Sequence, residues 1–116
     1  MVSAQEYLPE AGDLVWLDFT LQAGREQAGR RPALVLSPRA YNAKTSLAIV
    51  CPITSHAKGY PFEVALPSGG KIGGVVLSDR VKNLDWRQRR AMKAGKVQAA
   101  VLRAVRERLA ALLEII

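Results

Sequence analysis

Every apolar run in the first 96 residues is short, and turn-forming residues cut each one off. Leu14–Phe19 follows Gly12-Asp13, Pro32–Ser37 opens on proline, and Leu47–Cys51 closes at Pro52. Phe62–Leu66 alternates apolar with polar and stops at Pro67-Ser68-Gly69-Gly70. Gly73–Leu77 and Val81–Leu84 are two further short runs. Runs of this length bounded by Gly, Pro and Asp read as strands, with Pro32 at a strand start, where a missing N–H is tolerated. Pro38–Ser46 reads as a short helical or turn excursion, and residues 89–97 stay ambiguous because Gly95 argues against a long helix. One segment differs. Val97, Val101, Leu102, Val105, Leu109, Leu112, Leu113 and Ile116 recur at spacings of three and four. That period predicts an amphipathic helix of about four turns, packing its stripe on the sheet or partly on another subunit. The fold class expected is mainly β with a C-terminal α-helix (α+β), a strongly bent, partly closed antiparallel barrel.

A chain of 116 residues is one domain, 1–116, with little room for a second core. One Cys and one His leave no disulfide framework and no Cys- or His-rich metal cluster. No run is long enough to span a membrane and no signal peptide is visible, so a cytoplasmic protein is expected. The net charge of +7 is unevenly spread. Residues 1–58 hold six basic and five acidic side chains, and residues 59–116 hold eleven and five. The excess concentrates in Arg80, Lys82, Arg87, Arg89, Arg90, Lys93 and Lys96, opposed in that stretch only by Asp85. Arginine, with eleven of the 17 cations, offers a planar fork that pairs with phosphate and stacks on bases. A polyanionic partner follows, nucleic acid first, although a merely solvated basic face has the same composition.

The loops carry Glu26, Arg30, Arg31, Thr54, Ser55, His56 and Lys58. No glycine-rich phosphate cradle joins a strand to a helix, and Asp13 and Asp18 make only a poor metal pair. Arg31 stands just before one strand and Thr54 just after another. If those strands are antiparallel neighbours, a guanidinium and a hydroxyl share one strand rim. Such a pair can bind a phosphodiester and stabilise extra negative charge on it, without a metal. His56 reads as an ordinary loop residue.

At these loops the sequence resembles the MazF/PemK family of toxins from type II toxin–antitoxin systems. The resemblance rests on GDLVWLDF at Gly12–Phe19 and on G-x-EQAG-x-RPALVLSP from Gly24 to Pro38. It continues through Tyr41-Asn42, Lys44-Thr45, Pro52–Thr54, KGYPFEV at Lys58–Val64, GVVLSD-x-VK at Gly74–Lys82, and Trp86-Arg87. It implies an SH3-like barrel acting as a homodimer, with no cofactor and no metal. It implies a ribosome-independent endoribonuclease that cuts single-stranded RNA at short motifs, leaving a 2′,3′-cyclic phosphate and a 5′-hydroxyl.

The resemblance also implies site roles. Arg31 is the phosphate-binding and acid–base residue, Thr54 steadies the pentavalent transition state, and Glu26 in the long loop assists. A guanidinium holds its proton above pH 12, so charge stabilisation suits Arg31 better than proton transfer. Gln27, Arg30, Asn42, Ser55, Lys58, Asp79, Arg80 and Lys82 are the RNA-contacting positions. Arg30 stands where a well-known member has His, and Arg80 where many have Gln, so the RNA motif does not carry over. The implied inhibitor is an acidic MazE-like antitoxin, which suits a +7 chain. Two other readings stay open: a non-catalytic RNA-binding module and a gyrase poison of the same fold.

Overall fold

Short strands dominate because β-branched and aliphatic residues cluster between turns. The computed structural model describes residues 6–19 and 29–115. Its seven strands are β1 (Asp13–Asp18), β2 (Arg30–Val35), β3 (Leu47–Thr54), β4 (Glu63–Ala65), β5 (Val75–Leu77), β6 (Lys82–Asp85) and β7 (Met92–Lys96). Helix α1 (Arg39–Thr45) joins β2 to β3, and α2 (Ala99–Leu112) follows β7. A single 3-10 turn, Ser78–Arg80, sits between β5 and β6. All strand pairings are antiparallel, in the order β4-β5-β3-β2-β1-β7, with β6 also on β3. The expected mainly antiparallel sheet with a C-terminal helix is what forms, with β4 and β7 as its two ends.

Two strands run further than their composition suggested. β2 begins at Arg30 rather than Pro32, because Arg30 and Arg31 pair with Asp18 and Leu17 of β1. β3 continues through Pro52 to Thr54. Proline fits there because β3 changes partner at that point. Its pairing with β6 ends at Val50 and its pairing with β5 starts at Ile53, so the missing N–H falls in the gap. The ambiguous 89–97 segment forms β7, and Gly95 lies opposite Leu14 where the register slips by one residue.

The core has two faces. Leu34, Cys51, Ile53, Val64, Val76, Val101 and Val105 pack under α2 on one face. Val15, Leu17, Ala33, Val35, Ala48, Val50 and Trp86 fill the other. The two-residue period of the strands sends neighbours to opposite faces, which is why Leu34 and Val35 serve different clusters. The apolar stripe of α2 behaves as expected through Leu109 and then departs from it. Val101 and Val105 are buried, whereas Leu112, Leu113 and Ile115 are 46%, 60% and 70% exposed. Among the described residues nothing covers the last turn.

Asn42 of α1 departs from the RNA-contacting role expected of it. Its side chain is fully buried. Its Nδ2 donates to the carbonyls of Pro9 (2.9 Å) and Ser37 (3.0 Å), and its Oδ1 accepts from Ser37 Oγ (2.6 Å). Its main-chain carbonyl accepts Trp86 Nε1 at 2.9 Å. An amide satisfied on every side and shut off from solvent is a scaffold residue, tying the N-terminal strap, α1 and the end of β6 together.

Candidate active site

Four segments build one cleft. The β2 start contributes Arg30, Arg31 and Pro32, and the β3 end contributes Ile53, Thr54, Ser55 and His56. Lys71, Ile72 and Gly73 come from the β4–β5 connection, and Trp16 from β1. The cleft encloses about 510 Å³. β2 and β3 are paired as far as Ala33 opposite Pro52, and Arg31 and Thr54 each lie two residues beyond that pair on their own strands. Both belong to the same face of the sheet as Val35 and Val50. Arg31 and Thr54 line the same cleft, both within strands rather than in loops.

The two adjacent arginines are in different states. Arg30 is half-buried, and its Nη1 donates to Asp18 Oδ1 at 3.0 Å and to the Arg89 carbonyl at 3.3 Å. Asp18 also accepts Arg90 Nε at 2.8 Å. Hydrogen bonds from Arg90 first and Arg30 second hold the Asp18 carboxyl below the usual carboxylate range. Arg31 is exposed and takes part in no ion pair among the described residues. It lines the cleft beside Arg30 and Lys71, and its planar fork can hold an anion by charge-assisted hydrogen bonds.

Thr54 is held by a local turn. Its Oγ1 accepts the backbone N–H of His56 at 3.1 Å, which leaves its own O–H free to donate. Behind it lies Gly74, whose φ is +106°. A Cβ on Gly74 would stand 2.1 Å from the Thr54 carbonyl oxygen and 2.9 Å from Ser55 Cα. Only glycine permits both this backbone conformation and this approach. Sequence reading missed Gly74 as a site residue, as it missed Trp16 and Lys71. The sequence reading placed Gly74 in the short Gly73–Leu77 strand run, and its closeness to Thr54 is a tertiary fact. His56, read as an ordinary loop residue, lies in the cleft too.

The other sequence candidates are dispersed. Ser55 lines the cleft and is exposed. Lys58 sits on the β3–β4 loop, whose backbone N–H groups at Lys58 and Gly59 bind the Glu63 carboxylate at 2.9–3.2 Å. Asp79, Arg80 and Lys82 are exposed on the 3-10 turn and at the start of β6, outside this cleft. Glu26 and Gln27 lie outside the described residues.

Fold and cleft define a class first: a small antiparallel β domain with an arginine and a threonine lining one cleft at the strand ends. The family follows from comparison with known proteins. Residues 10–113 match the PemK-like, MazF-like toxins of type II toxin–antitoxin systems. The chain is 48% identical over 103 residues to the endoribonuclease toxin MazF of Escherichia coli K12, covering 89% of this chain and 92% of that protein. The crystal structure of MazF from Deinococcus radiodurans superposes with a TM-score of 0.85 at 59% identity, covering 94% of this chain and 99% of that one. A MazE–MazF complex from the same organism gives 0.85 at 53% identity, with 94% and 98% covered. This chain belongs to the MazF/PemK family of toxins.

Proposed function

We propose that this protein is a toxin that arrests growth by cutting single-stranded RNA at the Arg31–Thr54 cleft. The observation carrying the reading is that Arg31, in no ion pair among the described residues, lines one cleft with Thr54, Arg30 and Lys71. Family membership and 48% identity to an endoribonuclease support the same activity. In the proposed reaction the ribose 2′-oxygen attacks phosphorus while the P–O5′ bond breaks. The products are a 2′,3′-cyclic phosphate and a 5′-hydroxyl. Arg31 binds the phosphate and offsets the extra charge of the pentavalent state, and Thr54 O–H donates to a non-bridging oxygen. Donors aimed at charge that develops only in the transition state contribute about 10²–10³ in rate each. RNA is the substrate because the attacking 2′-hydroxyl exists only there, and unpaired bases expose the edges that a protein reads. Glu26 and Gln27 act from the 20–28 segment. Ser55, Lys58, Asp79, Arg80 and Lys82 bind flanking nucleotides.

The protein acts as a homodimer, which gives the exposed Leu112, Leu113 and Ile115 a partner surface. It is held inactive by an acidic MazE-like antitoxin, which the +7 charge attracts. The test is incubation of the purified protein with single-stranded RNA, beside Arg31→Ala and Thr54→Val. Cutting by the wild type and its loss in both variants, with melting temperatures preserved, is the expected result. RNA binding without any product would identify a non-catalytic module instead.

A further inference from the structure

RNA transesterification moves two protons. One leaves the 2′-hydroxyl as its oxygen attacks, and another reaches O5′ as the P–O5′ bond breaks. Thr54 has no basic group to take the first, and guanidinium and ammonium groups have no free lone pair until about pH 12 and pH 10. Among the described residues, the ionisable side chains lining the cleft are Arg30 and Arg31 from β2, Lys71 from the β4–β5 connection, and His56. An imidazole is the one group of this set that ordinarily offers a lone pair at neutral pH.

His56 is also held in place. Its backbone N–H binds Thr54 Oγ1 at 3.1 Å, which fixes it two residues beyond the strand end. Its Nδ1 lies 3.4 Å from Ser55 Oγ, so the ring's other nitrogen is the one left for a ligand. Arg30, Arg31 and Lys71 line the same cleft as the ring, and among the described residues no carboxylate does.

We propose that His56 is the general base of this ribonuclease, accepting the 2′-hydroxyl proton at Nε2 in the tautomer whose Nδ1–H points to Ser55 Oγ. The O2′–P bond forms as P–O5′ breaks. The departing O5′ takes a proton from water, and the imidazolium returns its proton to solvent after product release. This assignment rests on the ribonuclease reading above.

The experiment is steady-state cleavage of a single-stranded RNA from pH 5 to 9 by wild type, His56→Ala and His56→Gln. The wild-type kcat is expected to rise with pH and then level, as a base losing its proton requires. Both variants are expected to lose that rising limb and about 10²–10⁴ of kcat, with KM little changed. Free imidazole in solution is expected to restore part of the rate to His56→Ala. A wild-type kcat or a retained limb in either variant would overturn the proposal. A rise in KM alone would overturn it too, by making His56 a binding residue. If wild type cuts and Thr54→Val does not, an unaffected His56→Ala sinks this inference and spares the ribonuclease reading. A folded wild type that cuts no RNA sinks both.

Discussion

Arg30 and Arg31 are chemically identical and adjacent, yet the fold gives them different work. Arg30 faces Asp18 across the β1–β2 ladder and is half-spent on that partner, whereas Arg31 is exposed at the cleft. The Arg30–Asp18 pair, being partly exposed, contributes about 0–1 kcal/mol to stability. Arg30→Ala should therefore leave the fold intact and weaken RNA affinity modestly, while Arg31→Ala should lower kcat by about 10²–10³. Equal kinetic losses in the two variants, measured by single-turnover cleavage, would contradict this division. Ser78 offers a second check at the same scale. It is fully buried, and its Oγ finds no hydrogen-bond partner among the described residues. Such an orphan hydroxyl costs about 1–3 kcal/mol, so Ser78→Ala should raise the melting temperature. A clear fall on thermal denaturation would show that the hydroxyl has a partner. Cys51 lies in the core with its thiol pushed up to about 12 by burial first and by the Asp79 charge second, so thiol reagents should label it only after unfolding.

At the scale of elements, the turn before β5 is as much a part of the site as the strands. Gly74 presses on the Thr54 carbonyl, so Gly74→Ala must move Thr54 or distort the β3–β5 pairing. Gly69 has a similar φ of +90° but open space around its Cβ position. Both alanine variants carry the backbone strain of a positive φ, about 1–3 kcal/mol. Only Gly74→Ala should also cost activity, seen as a fall in kcat with the fold retained in circular dichroism. Equal activities would remove Gly74 from the site. This contrast also shows what a sequence discloses and what it withholds. Strand periods, the α2 stripe and the neighbouring Arg31 and Thr54 segments were legible, because period and punctuation are local properties. The extension of β2 to Arg30 was not, since cross-strand pairing with Asp18 and Leu17 decides it. Asn42 entered as an RNA-contacting position through the resemblance, and only tertiary packing buries its amide against Pro9 and Ser37. Lys71 and His56 are far apart along the chain, and only β3–β5 pairing brings their segments to one cleft.

For the whole molecule, charge governs both stability and partners. Asp18 is held low by Arg90 and Arg30, and Asp85 by the Gln88 backbone N–H first and then by Ser46 and the Arg87 N–H. Both carboxyls thus have folded values below their unfolded ones. Their contribution is complete above the unfolded value of about 3.9 and drains away as pH falls through the folded values. Melting temperature should hold steady from pH 7 to about 4.5 and fall below about 4, with a shallower fall in Asp85→Asn. A flat acid limb would show that neither carboxyl is specifically stabilised in the folded state. The unmatched positive charge is what an RNA strand or an acidic antitoxin would meet. The central claim is that the cleft joining Arg31 and Thr54 cuts RNA by internal transesterification without a metal. Its most direct test is to incubate the protein with a long single-stranded RNA in EDTA and sequence the 5′-hydroxyl ends. Discrete cuts at one short motif, each paired with a 2′,3′-cyclic phosphate and absent in Thr54→Val, are the predicted result. Intact RNA from folded protein, or 5′-phosphate ends, would contradict it.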